Sequence, residues 1–250
     1  MKRFDWTIWL GAFVGLSAIV VAAWFENLNI GFLWHSTAAL IVVGGTLGAV
    51  IIRRGVGGVT GAIQAIWKLR HKDGGDEPHQ LELAKLAWLS RSANKNGVKT
   101  FESYADNCDD ALIAQGMILL AERADKQQIT EVLTRRLEWE DDCGLQDAAT
   151  LDAAGGFAPT FGILGAVMGL ISVLRVLDQP SALGAGIATA FVATIYGIGL
   201  ANLFFFPLAA RLRHNHETQM KRREEIITVI LGLAANETPR AIINQFNLRK

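Results

Sequence analysis

Four long stretches without a charged residue dominate the pattern along this chain: Trp6–Phe25, Ser36–Ile52, Ala153–Leu174 and Gln179–Ala210. A helix needs about 20 largely apolar residues to cross a hydrocarbon layer of about 30 Å. Each stretch therefore predicts a membrane-spanning helix, since a helix satisfies its own backbone inside lipid. The fourth run is longer than one crossing needs, which predicts a loop at its start. The first is read as a retained span rather than a signal peptide, because Phe25-Glu26-Asn27 lacks the small residues of a cleavage site.

Between the second and third stretches the pattern changes to mixed apolar and charged positions at helical spacing. A glycine-rich join (Gly55, Gly57, Gly58, Gly61) leads into an amphipathic piece around Ile63, Ile66, Trp67 and Leu69. The polar run His71–Pro78 reads as a loop. Leu81–Asn94 reads as a helix ended by Gly97, and Phe101–Glu122 and Gln127–Cys143 as two more. Beyond Ala210 a last helix runs through Lys221, Ile226 and Leu231, and Thr238-Pro239-Arg240 breaks it. The expected fold class is an all-α membrane protein. Its segments are the first two spans (residues 1–52), a helical cytoplasmic domain (53–151), spans three and four (152–210) and a C-terminal cytoplasmic helix with its tail (211–250).

Orientation follows from the basic residues. Lys2 and Arg3 precede the first span, Arg53 and Arg54 follow the second, and Arg211, Arg213 and Lys221–Arg223 follow the fourth. The Glu26–His35 connection and the Asp178–Ser181 turn carry none. The positive-inside rule then places both termini and the long middle region in the cytoplasm. The formal net charge of zero gives no sign of nucleic acid. Cys108 and Cys143 are too few for a zinc site, the five histidines show no ligand spacing, and His214 and His216 read as a solvated basic patch. No nucleophile elbow, phosphate loop or paired catalytic carboxylates occur, so a conventional enzyme is not expected.

Within the spans, small residues recur at intervals of four: Gly11/Gly15, Gly44/Gly48 and Gly165/Gly169. Such spacing lets helix backbones approach closely, and packing within the chain is the expected use. Pro159 and Pro207 sit in or beside the last two spans, either as helix ends or as kinks that free a carbonyl. The central parts of the spans hold no Asp, Glu, Lys or Arg. Ion-moving proteins place an ionisable group there, so in any ion flow another chain supplies it. The polar candidates are Thr189, Thr194, Tyr196 and Asn202, against the plainer expectation that each hydroxyl bonds back to its own helix.

The run Ala153–Leu170, with Pro159 and Gly165/Gly169, resembles the third span of the MotA/PomA family of flagellar stator proteins. Gly186–Gly197, Ala201–Ala209, Leu40–Thr46 and Thr238–Arg240 are similar to the same family, and the resemblance covers the whole chain. It implies an A subunit of which five copies surround the single spans of two MotB/PomB-type B subunits, each carrying the ion-binding Asp. Ion flow then turns the A ring, whose cytoplasmic domain pushes the rotor switch protein FliG. Pro159 and Pro207 match the family prolines. Ala93–Glu102 resembles the rotor-contacting segment, with Lys95 and Glu102 at charged family positions; Asn94 stands where the family has Arg, and Arg91 lies one turn earlier. Sodium-driven members carry Thr seven residues after the span-three proline. Here that residue is Ala166, whose methyl ligates no cation, while Thr194 is shared by both kinds. The resemblance therefore implies no cofactor and a proton as the ion, with sodium as the alternative. An ExbB/TolQ-like energiser of envelope transport and a non-conducting membrane scaffold stay open as other readings.

Overall fold

The computed structural model describes residues 3–4, 6–25, 31, 34–69, 71–72, 76–179 and 183–247. The helices are α1 (Trp6–Phe25), α2 (Ser36–Ala39), α3 (Gly45–Leu69), α4 (Asp76–Asn96), α5 (Lys99–Asp106), α6 (Ala111–Ala121), α7 (Lys126–Leu174), α8 (Leu183–Leu200), α9 (Phe206–Ala234) and α10 (Pro239–Asn247). π-Helical turns at Leu40–Gly44 and Ala201–Phe205 join α2 to α3 and α8 to α9. Two two-residue strands, Arg3–Phe4 and His71–Lys72, are the only strand residues among those described. The chain divides into two compact units. A polar unit holds residues 1–3, 72–144 and 214–250, and an apolar unit holds residues 4–71 and 145–213.

Three helical runs of the described chain are long and apolar enough to cross a membrane: Ser36–Leu69, Lys126–Leu174 and Leu183–Ala234. The first predicted span coincides with α1, which is helical throughout Trp6–Phe25. The glycine-rich join does not interrupt α3 except at Gly55, whose φ of 70° and ψ of 171° break the helical backbone. An L side chain is strained there, which is what the glycine is for.

The polar unit is built as a small water-soluble protein is built. Leu86, Leu112, Ile113, Met117, Ile129, Leu133, Ile230 and Ile242 form its core, drawn from α4, α6, α7, α9 and α10. Several sequence expectations change here. Phe101–Glu122 is not one helix, because Asp110 stops the pattern and restarts it: its Oδ1 accepts from Leu112 N at 2.9 Å and Ile113 N at 3.2 Å, capping α6. The expected break at Thr238-Pro239 is instead a beginning. Thr238 Oγ1 accepts from Ala241 N at 3.3 Å, and Pro239 takes the first position of α10, where its missing N–H costs nothing. The loop expected over His71–Pro78 ends early, since α4 starts at Asp76. His216 is not solvated: it is buried, lies against Gly144, and its Nε2 is 2.7 Å from Asp141 Oδ1. His214 is exposed, as expected.

Candidate ion pathway and partner face

The apolar unit packs by bringing backbones together. A Cβ added to Gly162 would lie 2.9 Å from Ala193 O, one on Gly169 2.6 Å from Ala190 N, and one on Gly197 2.6 Å from Ala158 O. Ala158 and Ala193 are fully buried in this seam between α7 and α8. Gly165 and Gly169 thus serve packing within the chain, as expected of their spacing. Gly11 and Gly48 face open space, and a Cβ added at either would meet nothing within 4 Å.

Pro159 lies inside α7, so the helix-end alternative does not hold. Its ring denies the carbonyl of Gly155 its usual donor, and Gly155 has no side chain to add to the crowding; the Phe206 ring fills that space instead. Pro207 stands in the first turn of α9, directly after the π-turn Ala201–Phe205. The wider turn sits where the proline removes an i→i−4 bond. Around the seam, Leu164, Val167, Met168 and Ile171 of α7 and Phe191, Ile195 and Ile198 of α8 stay exposed.

Thr194 is half-buried and its hydroxyl donates to Ala190 O at 3.1 Å, the back-bonded arrangement expected of it. Asn202 likewise donates to Ile198 O at 2.9 Å. Ala166 is half-buried, one turn after Gly162, in the stretch that meets Ala193 and Thr194. Thr189 and Tyr196 do more than expected. Thr189 Oγ1 donates to Ala185 O at 2.9 Å and lies 3.2 Å from His35 Nε2, and the Tyr196 hydroxyl accepts from His35 N at 3.4 Å. With the Thr189 proton committed to Ala185, this contact is a hydrogen bond in the tautomer that carries the proton on His35 Nε2 and leaves Nδ1 bare. That Nδ1 is buried with no hydrogen-bond partner. Sequence reasoning passes over His35. The available signal is an imidazole at the head of an otherwise uncharged span.

In the polar unit, Arg91 is exposed and its guanidinium stacks on the Trp88 ring at 4.5 Å. Glu102 is exposed in the first turn of α5. The side chain of Lys95 lies outside the described residues. Gly97, at φ 71°, turns the chain from α4 to α5 and so sets the spacing of Arg91 and Glu102. Behind them a charge network fixes the scaffold. Arg223 Nη1 donates to Asp110 Oδ1 and Oδ2 at 3.0 Å, and its Nε to Glu140 Oε2 at 2.8 Å. Arg136 reaches Glu140 at 3.2 Å and Gln115 at 3.3 Å. Burial opposes ionisation of Asp110, but hydrogen bonds from Arg223 and from the Ile113 and Leu112 amides outweigh it and hold the carboxyl below the usual carboxylate range.

Residues 104–225 match the MotA/TolQ/ExbB proton channel family. Motility protein A of Bacillus subtilis is 28% identical over 242 residues, covering 95% of this chain and 88% of that protein. Chemotaxis protein PomA of Vibrio alginolyticus is 29% identical over 229 residues, covering 92% and 89%. A chain in the structure of the flagellar MotAB stator complex from Bacillus subtilis superposes with a TM-score of 0.83 at 27% identity, covering 98% of this chain and 96% of that one.

Proposed function

We propose, from the premise that this chain belongs to the MotA/TolQ/ExbB proton channel family, that it is the A subunit of an ion-driven flagellar stator in the bacterial inner membrane. The observation that carries this reading is the likeness along almost the whole chain to a subunit of a flagellar stator complex. A family-level match alone leaves an ExbB/TolQ-like role equally open; a full-length one with motility proteins favours the stator.

The physical reading agrees. The spanning stretches carry no acid, so a one-span MotB/PomB-type B subunit supplies the ion-binding carboxylate. The exposed apolar residues of α7 and α8 suit a ring of five A subunits around two B spans. Ser36–Leu69, Lys126–Leu174, Leu183–Ala234 and α1 make four crossings, with both termini and the polar unit cytoplasmic. Arg91, Lys95 and Glu102 face the rotor protein FliG. Ala166, Thr194, Pro159, Pro207, Thr189 and Tyr196 lie along the ion path. A methyl at Ala166 leaves span three without the hydroxyl that a sodium ion, stripped of hydration, requires, so the ion is a proton.

Native mass measurement of the purified chain with its B subunit in mild detergent tests the assembly: a five-to-two complex is expected, and a stable monomer overturns the stator reading. Swimming in sodium-free potassium medium, with and without a protonophore, tests the ion. Motility should persist without sodium and stop with the protonophore. Loss without sodium, together with survival of the protonophore, overturns the proton assignment.

A further inference from the structure

The apolar residues of α4 divide between two faces. Leu83, Leu86 and Ala87 are buried in the core of the polar unit. Trp88, the largest of them, is not: it is 48% exposed. Its ring meets a charge instead, since the Arg91 guanidinium stands over it, 4.5 Å from the centroid. Residues three apart on a helix share a face, so the contact is set by the helix itself. Leu81 and Lys85 continue the same exposed stripe toward the start of α4.

Arg91 forms no ion pair among the described residues. The Trp88 ring is therefore what holds it. A guanidinium stacks through its flat face, and its N–H groups lie in its plane. Stacking leaves those donors open to a carboxylate, which accepts two of them side by side. It also restrains a long side chain that would otherwise sample many rotamers, and a side chain already ordered loses less on binding. Tryptophan and arginine are the residue types that dominate binding at protein interfaces. Asn94, nearer the end of α4, is neutral, so Arg91 is the restrained cation on this part of the helix. Gly97, at φ 71°, then turns the chain into α5, where Glu102 is exposed in the first turn.

We propose that Trp88 is a positioning residue of the rotor face: its ring fixes the Arg91 guanidinium so that the in-plane N–H groups meet a carboxylate of the partner. The proposal rests on the reading of Arg91 as a rotor contact. It adds an aromatic residue to a face otherwise marked by charge alone.

The test measures binding of purified FliG to the purified full-length chain with its B subunit in detergent. Trp88→Leu keeps apolar bulk and removes the ring; it should weaken binding about two- to fivefold, the scale of an exposed cation–π contact. Trp88→Phe keeps a ring face and should bind within about twofold of the unsubstituted chain. Arg91→Lys keeps the charge and loses the planar fork, so it should cost at least as much as Trp88→Leu. The two changes together should cost no more than Arg91→Lys alone, because the ring acts only through the guanidinium. Should Trp88→Leu fail to fold, Trp88→Met removes the ring with a more adaptable side chain. Normal binding by the ring-less variant, equal weakening by Trp88→Phe, or losses that add in the double variant overturn the proposal and leave the stator reading standing. If the unsubstituted complex does not bind FliG, the rotor reading of Arg91 falls and the proposal falls with it.

Discussion

The two units solve the packing problem in opposite ways. In the polar unit most of the fully buried side chains are large, Leu86, Leu112, Met117, Ile129, Leu133 and Ile230 among them, with Ala87 the small exception. In the apolar unit they are Ala38, Ala158, Ala193, Ala201 and Ala209, with Val42 and Val192. The large residues of that unit, such as Phe13, Leu170 and Phe191, stay outside. Water explains the first arrangement, since removing apolar surface from it drives folding. Lipid explains the second, because a leucine is no better off inside than out and close backbone contact decides the packing. The lesson is that one kind of substitution should have different costs in the two units.

Glycine to alanine is the sharpest way to break that comparison. At Gly197 the added methyl meets Ala158 O at 2.6 Å, and at Gly169 it meets Ala190 N at 2.6 Å. Backbone cannot move aside cheaply, so Gly197→Ala should cost about 3 kcal/mol or more and Gly169→Val should prevent folding. At Gly116 in the polar unit the methyl meets the Ile230 Cδ1 tip at 2.5 Å. A rotamer change relieves that contact, and Gly116→Ala should cost about 1 kcal/mol. Thermal unfolding of the two alanine variants in detergent, with the yield of folded Gly169→Val, reads the order directly. Equal losses at Gly116 and Gly197 would mean that the units do not pack by different rules. Gly48→Ala, facing open space, should leave unfolding unchanged.

Most of the helical inventory is legible because hydrophobic period and charge-free length are local properties. The spans, the helix ending at Gly97 and the back-bonded Thr194 all rest on such signals. What is not legible depends on side chains distant in sequence. Phe101–Glu122 has a continuous apolar period, and only the capping role of Asp110, tied to Arg223, divides it. His216 reads as solvated beside His214 until Asp141, on another helix, takes its Nε2. His35 carries no motif; its meaning comes from Thr189 and Tyr196, more than 150 positions away. Pro239 misleads for a different reason: the same residue type stops one helix and starts the next, and Thr238 before it is the cue that decides.

The second contrast is electrostatic and of intermediate size. Asp110 in the polar unit is held ionised by Arg223 and the α6 amides. Its folded pKa lies below the unfolded value of about 3.9, so its stabilising contribution is present above that value and disappears as pH falls through the folded one. Asp110→Ala loses the cap, about 1 kcal/mol and up to about 2, and leaves Arg223 with Glu140 alone. Unfolding monitored from pH 7 down to about pH 3 should show a gap between the two proteins that narrows on the acid side. A constant gap would mean that the cap works through shape and not charge.

The smallest expected effect has the opposite sign and lies in the apolar unit. Asp147 sits on α7 outside the spanning stretch, with its Oδ1 2.6 Å from where a Gly61 Cβ would stand. Burial pushes its carboxyl above the usual range, and the Lys68 charge pulls only partly against that. The folded state therefore favours the protonated acid. Stability from this group is fully present below the unfolded pKa of about 3.9 and is lost as pH rises through the folded one. Asp147→Asn keeps the shape and removes the ionisation, so near pH 7 it should stabilise by a few tenths of a kcal/mol, since the group is only half-buried and solvent screens it in part. The loss of Lys68 as an attractive partner works against the gain and sets its small size. Comparing Asp147→Asn with the unsubstituted chain between about pH 4 and pH 7 should show the two curves converging on the acid side, with the variant above at neutral pH. A variant that is less stable at pH 7 would show that the Lys68 attraction outweighs burial, and the two aspartates would then act in the same direction.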